Sequence, residues 1–152
     1  MNIFIGSDHA GFKTKQFILN NSNTISTSFK INFIDIGTNT EDKCDYPDYA
    51  IKLITLLEKQ LPYKKISEQK NFGILICGTG IGMCMVANRF KKIRAVVCRS
   101  VEDAKISREH NNANVLCIGA RTTDKSTIIE IIKTFIETKY EGGRHDIRIN
   151  KF

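Results

Sequence analysis

The chain has 152 residues, with 23 Lys or Arg against 16 Asp or Glu and a net charge of +7. Its 41% hydrophobic and 26% charged residues, two prolines and absent tryptophan exclude wholesale disorder and collagen-like or coiled-coil organisation. The length suits one domain, able to bury about two-thirds of its unfolded surface without staples.

The chain opens with MNIFIGSDHAG, which reads as a strand over Asn2–Gly6 rather than a basic, apolar leader. A helix is expected over Phe12–Asn21, then a polar loop, Ser22–Ser28, and a second strand, Ile31–Ile36. Next come a helix over Asp48–Gln60, a Lys-rich surface loop, Tyr63–Asn71, and a strand over Gly73–Cys77. The remaining elements are helix Ile81–Phe90, strand Arg94–Cys98, helix Val101–His110, strand Val115–Gly119 and helix Lys125–Thr138. The last helix has an apolar face of Ile128, Ile129, Ile132, Phe135 and Ile136, with Asp124 as its expected N-cap. Several strands are continuous Ile/Val/Leu/Cys runs, as expected of strands buried on both faces of a parallel sheet. Five βα units imply right-handed crossovers and an α/β, doubly wound, Rossmann-like sheet of five parallel strands with helices on both faces. Residues 1–152 read as a single domain, with 139–152 as a C-terminal tail.

No apolar run approaches the roughly 20 residues of a spanning helix. A soluble cytoplasmic protein with no membrane partner is expected. The five cysteines, at 44, 77, 84, 98 and 117, are an odd number, with no CxxC and no zinc-finger spacing. A disulfide scaffold and a structural metal are therefore not expected. The positive charge fits either nucleic acid or a small anionic substrate, and charge alone does not choose. The lysines are scattered and no aromatics are interleaved among them as stacking platforms would be, so no nucleic-acid partner is expected.

In a doubly wound sheet, ligands bind beyond the carboxyl ends of the strands. Gly6-Ser7-Asp8-His9-Ala10-Gly11 follows the first strand, Cys77-Gly78-Thr79-Gly80-Ile81-Gly82 the third and Gly119-Ala120-Arg121 the fifth. The CGTGIG loop lets the backbone approach a ligand and opens a helix whose amides point at it. It is not a dinucleotide fingerprint: its third glycine is one residue early and it follows the wrong strand. It also lacks the GK[ST] of a phosphate-loop NTPase. A plain tight turn stands as the alternative. Cys77 sits beside that helix N-terminus, which favours thiolate and suits a nucleophile or a base. The other four cysteines read as inert small hydrophobes. Asp8 is either a functional acid or a turn residue. His110, near a helix C-terminus, is a proton donor or a C-capping residue. Arg144 and Arg148, four apart, and the distant Arg121 suit either a solvated surface or forked hydrogen bonds to one phosphate.

Six blocks carry a family resemblance: GSDHAG at the start, DYPDYA at 45–50, GILICGTGIGM at 73–83, IRAVV at 93–97, SREHNNANVLCIGAR at 107–121 and YEGGRH at 140–145. In this order they resemble the type B ribose-5-phosphate isomerases, a family that includes the galactose-6-phosphate isomerase subunits. The resemblance runs from residue 2 to about 148. It implies an intramolecular oxidoreductase that interconverts D-ribose 5-phosphate and D-ribulose 5-phosphate in the non-oxidative pentose phosphate pathway, without cofactor or metal. It further implies a homodimer or homotetramer whose active sites lie between subunits, the C-terminal tail contributing to them.

The same resemblance implies roles for individual residues. Cys77 matches the base, Thr79 a proton carrier between substrate oxygens, and His110 with Asp8 the ring-opening pair. Tyr46 and Asn111 would line the sugar pocket, His9, Arg121, Arg144 and Arg148 would hold the phosphate, and Gly78, Gly80 and Gly82 would present amides to the developing oxyanion. A six-carbon substrate such as allose 6-phosphate or galactose 6-phosphate, or a nucleotide-binding module built on the same glycine loop, are the alternatives. The polar loop at 22–30 and the Lys-rich stretch at 63–71 depart from the family's usual pattern and read as surface insertions.

Overall fold

A computed structural model describes residues 1–25, 30–61 and 71–151. Five strands alternate with helices: β1 Asn2–Ser7, α1 Phe12–Asn20, β2 Asn32–Gly37, α2 Tyr46–Glu58, β3 Phe72–Cys77, α3 Ile81–Ala87, β4 Ala95–Val97, α4 Val101–Asn111, β5 Val115–Gly119 and α5 Lys125–Glu137, followed by the short α6, Asp146–Ile149. All pairings are parallel, and the strand order is β2-β1-β3-β5-β4. The expected doubly wound α/β sheet is present. Among the described residues no helix is long and apolar enough to cross a membrane.

The uniformly buried central strands explain the continuous apolar runs in the sequence, since each face of the sheet has its own core. On one face Ile3, Ile5, Ile74, Ile76, Leu116 and Ile118 pack with the apolar side of α5, notably Ile128, Ile132 and Phe135. On the other, Phe4, Leu75, Val115 and Cys117 pack with Leu53, Ile54 and Leu57 of α2 and Met83 of α3.

Element boundaries shift for local reasons. Helix α2 starts at Tyr46 rather than 48, with Asp45 extended at the N-cap and Pro47 in the first turn, where a missing N–H costs nothing. Helix α3 stops at Ala87 rather than 90, because the Asn88 side chain bonds both backbone groups of Ala95, donating to its carbonyl at 2.9 Å and accepting its N–H at 2.9 Å. That exchange turns the chain into β4, which keeps only three residues. Asp124 occupies the N-cap position of α5 but makes no side-chain capping bond. The well-formed cap is at α4, where Ser100 and Asp103 form a reciprocal capping box. Of the polar loop 22–30, Ser22–Thr24 forms a short 3-10 turn; residues 26–29, and positions 63–70 of the Lys-rich stretch, lie outside the described residues.

Candidate active site

The strand order reverses between β1 and β3, which opens a crevice at their carboxyl ends. Ser7 pairs with Ile76 at the end of the β1–β3 ladder, so Asp8 and Cys77 are the residues that follow this last pair on the two strands. The Asp8 N–H donates to the Ile76 carbonyl at 3.2 Å and extends the ladder one residue past the strand. Asp8 is buried, and one carboxylate oxygen accepts the Gly11 N–H at 3.0 Å at the start of α1. A Cβ on Gly11 would lie 2.8 Å from the Ile76 carbonyl carbon, so glycine is what allows this turn to pack against β3.

Cys77 is also buried, and its Sγ accepts the Gly80 N–H at 3.2 Å. Gly80 holds a left-handed φ of +77°, with the backbone of Ile118 and Gly119 close behind it. The Gly80 amide is therefore engaged by the sulfur, not free for a substrate oxyanion as the sequence reading supposed. Thr79 is exposed at the loop crest, with Oγ1 accepting the Ile81 N–H at 3.4 Å.

The rim comes from neighbouring elements. The exposed Arg121 guanidinium covers Gly78: a Cβ there would meet Nη1 at 3.2 Å, and the Arg121 N–H donates to the Gly78 carbonyl at 3.0 Å. The Tyr46 ring lies against Gly82, where a Cβ would sit 2.8 Å from it. His9 is half-buried, its Nδ1 3.0 Å from the Cys44 carbonyl oxygen, which orients the ring. Asp8, His9, Tyr46, Cys77, Gly78, Thr79, Gly80, Gly82 and Arg121 thus gather at one edge of the sheet.

His110, Asn111, Arg144 and Arg148 do not join them. Helix α4 runs against the strands, so its last residues lie at the amino edge. Arg108, two residues before His110, stacks over Phe72, the first residue of β3, at 4.9 Å. Its Nη1 donates to the Asn112 side chain at 2.8 Å and to the Ala113 carbonyl, and its Nε to Thr138 at 3.4 Å, tying the helix end to the start of the tail. Burial, and then the nearby charge of Arg94, push the Arg108 guanidinium down to about 10. From Val115 to Gly119, β5 spans four residue rises, so about 13 Å of strand separates the two edges. One chain therefore carries two groups of candidate residues at opposite ends.

At the amino edge the His110 ring stacks on His145, with centroids 4.4 Å apart and planes 10° from parallel. Glu141 Oε2 lies 4.0 Å from His110 Nε2 and 3.5 Å from His145 Nε2. Arg144 Nε donates to His145 Nε2 at 3.4 Å, and Arg148 Nη1 donates to the Arg144 carbonyl at 3.0 Å. Asn111 is exposed beside a cavity of about 440 Å³ shared with Asn88, Lys91, Arg94 and Ser107. The sequence reading missed Glu141 and His145. Their spacing of four was the available signal, but their proximity to His110 arises only from the return of the tail.

The other cysteines divide. Burial pushes the Cys98 thiol up to about 12 and raises Cys117 as well. Cys84 is lowered to about 7, chiefly by a hydrogen bond with the Cys117 thiol, which outweighs its own burial.

Known proteins match this arrangement over nearly the whole chain. The family model described as Ribose/Galactose Isomerase matches residues 3–152. The chain belongs to that family. The ribose-5-phosphate isomerase B of Escherichia coli is 37% identical over 147 residues, covering 97% of this chain and 91% of the relative. A putative sugar phosphate isomerase of Rickettsia conorii is 42% identical over 151 residues, covering 99% and 96%. The crystal structure of ribose-5-phosphate isomerase B from Mycoplasma genitalium, with bound ribulose-5-phosphate, superposes with a TM-score of 0.86 at 40% identity, covering 99% of this chain and 92% of that one. Membership in this family makes the chain an isomerase and leaves the nucleotide-binding alternative without support.

Proposed function

We propose that the chain interconverts D-ribose 5-phosphate and D-ribulose 5-phosphate, in sites that each combine the carboxyl edge of one copy with the amino edge of another. The observation that carries this reading is the placement of Asp8 and Cys77 directly beyond the paired Ser7 and Ile76 at the strand reversal, with the Gly80 N–H on the Cys77 sulfur. The Mycoplasma relative's bound ribulose-5-phosphate supports the substrate.

The chemistry is proton movement throughout. Asp8 takes the proton from the C1 hydroxyl of the furanose while His110 of a second copy delivers one to the ring oxygen, and the ring opens to the aldehyde. The Cys77 thiolate then removes the proton from C2, and the electron pair moves through an enediolate. Thr79 passes a proton between O2 and O1, and Cys77 returns its proton to C1, giving the ketose. Atoms and electrons balance without any cofactor. A positioned base contributes about 10²–10⁴-fold. The Gly78 and Gly82 amides remain as candidate donors to the enediolate oxygens.

Phosphate binding is assigned to His9 and Arg121 from one copy and Arg144 and Arg148 from the other, with Tyr46 and Asn111 beside the sugar. Forked guanidinium bonds suit a dianion, and binding energy far from the reacting carbons serves to hold C2 at the sulfur. On this reading the 139–152 tail belongs to the neighbour's site, and the working unit is a homodimer or a pair of dimers. Free thiols at all five cysteines fit a reducing, cytoplasmic setting within the pentose phosphate pathway.

The test is Cys77→Ala, assayed with ribose 5-phosphate beside five- and six-carbon aldose phosphates. Loss of conversion in a folded variant is expected, with the highest kcat/KM on the five-carbon substrate; full activity removes Cys77 as the base.

A further inference from the structure

We propose that His110, Glu141 and His145 form a binding site for a divalent transition-metal ion, of which zinc is the best fit. One ligating atom from each lies within 4.8 Å of the others. Glu141 Oε2 is the common neighbour, 3.5 Å from one imidazole Nε2 and 4.0 Å from the other. Zinc held tetrahedrally at about 2.0–2.1 Å needs ligand atoms about 3.3–3.4 Å apart. The carboxylate–imidazole distances are already within an ångström of that. The parallel rings must tilt for both lone pairs to meet one ion, a side-chain rotation of the partly exposed His110 rather than a backbone change.

The donors are held from behind. The Glu141 N–H donates to the Glu109 carbonyl at 3.1 Å, which anchors the tail to the end of α4. Gly142 and Gly143, with φ of +67° and +59°, turn the chain so that residues 141 and 145 present side chains to the same point. His145 is buried while Glu141 is half open to solvent, leaving a face for water as fourth ligand. Two imidazoles and one carboxylate favour zinc, copper or nickel over magnesium or calcium. One group opposes the ion: the Arg144 guanidinium, whose Nε donates to His145 Nε2. It must swing away on loading, which an exposed side chain can do.

The ion would be a regulator rather than a helper, and that consequence rests on the ring-opening role proposed for His110. Metal on the His110 nitrogen removes the proton donor, so occupancy inhibits turnover of the ring-closed substrate.

The deciding experiment is titration of the metal-stripped full-length protein with cobalt(II), followed by displacement with zinc(II). One cobalt per chain is expected, with visible d–d bands of a low-coordinate nitrogen and oxygen ligand set and no thiolate charge-transfer band. Glu141→Gln and His145→Ala should each weaken binding at least tenfold, since even outer-sphere partners carry about 10–100-fold. Cys44→Ser and His9→Ala should leave it unchanged. Absence of binding, a thiolate band, or affinity that survives Glu141→Gln overturns the site. Should His145→Ala fail to fold, the exposed Glu141→Gln decides alone. The spectrum reports the site whether or not the protein turns over ribose 5-phosphate, so failure of one proposal is separable from failure of the other. With an active protein, zinc should inhibit wild type more strongly than Glu141→Gln.

Discussion

Replacing Gly80 with alanine perturbs the loop between β3 and α3 while leaving the rest of the fold in place. Gly80 sits at φ +77°, where an L-residue costs about 1–2 kcal/mol. Its added Cβ would lie 3.1 Å from the Ile118 carbonyl carbon and 3.2 Å from the Gly119 nitrogen, backbone atoms of a central strand that cannot give way. The loop must therefore shift, and the shift carries the Gly80 N–H off Cys77 Sγ, now 3.2 Å away. The strain should lower Tm by about 2–8 °C in a chain of this size. On the proposed mechanism the shift also displaces the base, and since a positioned base contributes about 10²–10⁴-fold, kcat should fall by about tenfold or more. The assay is steady-state isomerisation of ribose 5-phosphate beside a thermal melt. Alanine with kcat within twofold of wild type and an unchanged Tm would refute the argument that Gly80 holds the sulfur's hydrogen bond.

Two further expectations concern the frame around the site. Lys15 is fully buried and its Nζ lies 2.5 and 2.6 Å from the two oxygens of Asp35, whose side chain is 31% exposed. Asp35→Asn strands a buried ammonium and should cost about 3–5 kcal/mol, whereas Lys15→Met leaves a carboxylate that water can reach and should cost less; urea denaturation of both variants reads the asymmetry. Asp103 is held below the usual carboxylate range, first by the Arg99 N–H and then by bonds from Ser100. A depressed carboxylate stabilises the fold above its unfolded value and loses that contribution as pH falls through its folded value. Asp103→Asn should thus cost at most about 1 kcal/mol at neutral pH, and its deficit relative to wild type should shrink below about pH 4.

The architecture was legible because apolar runs such as Ile74–Cys77 and Val115–Ile118 are buried on both faces and leave no alternation to blur them. The signals for α2 were also present, in Asp45 as an extended N-cap and Pro47 in the first turn, but periodicity alone placed the start two residues late. The end of α3 could not be read, because it depends on Asn88 reaching Ala95 across a turn. Strand order was likewise hidden: nothing local in Ala95–Val97 says that β5 inserts between it and β3. At the carboxyl edge, contiguous motifs follow the strands directly, so the positions of Asp8, Cys77 and Thr79 next to one another could be read from strand ends alone. The amino-edge group was harder, since Glu141 and His145 meet His110 only when the tail folds back along α4.

The central claim is that each site is shared, with Cys77 at one edge of one chain and His110 at the opposite edge of another. Mixing Cys77→Ala with His110→Ala and refolding them together tests it. Random pairing makes about half of the dimers mixed, and each mixed dimer holds one intact site out of two, so about one quarter of wild-type activity should return. A mixture that stays at the sum of the two separate variants would contradict the shared site and place both residues in one chain's pocket.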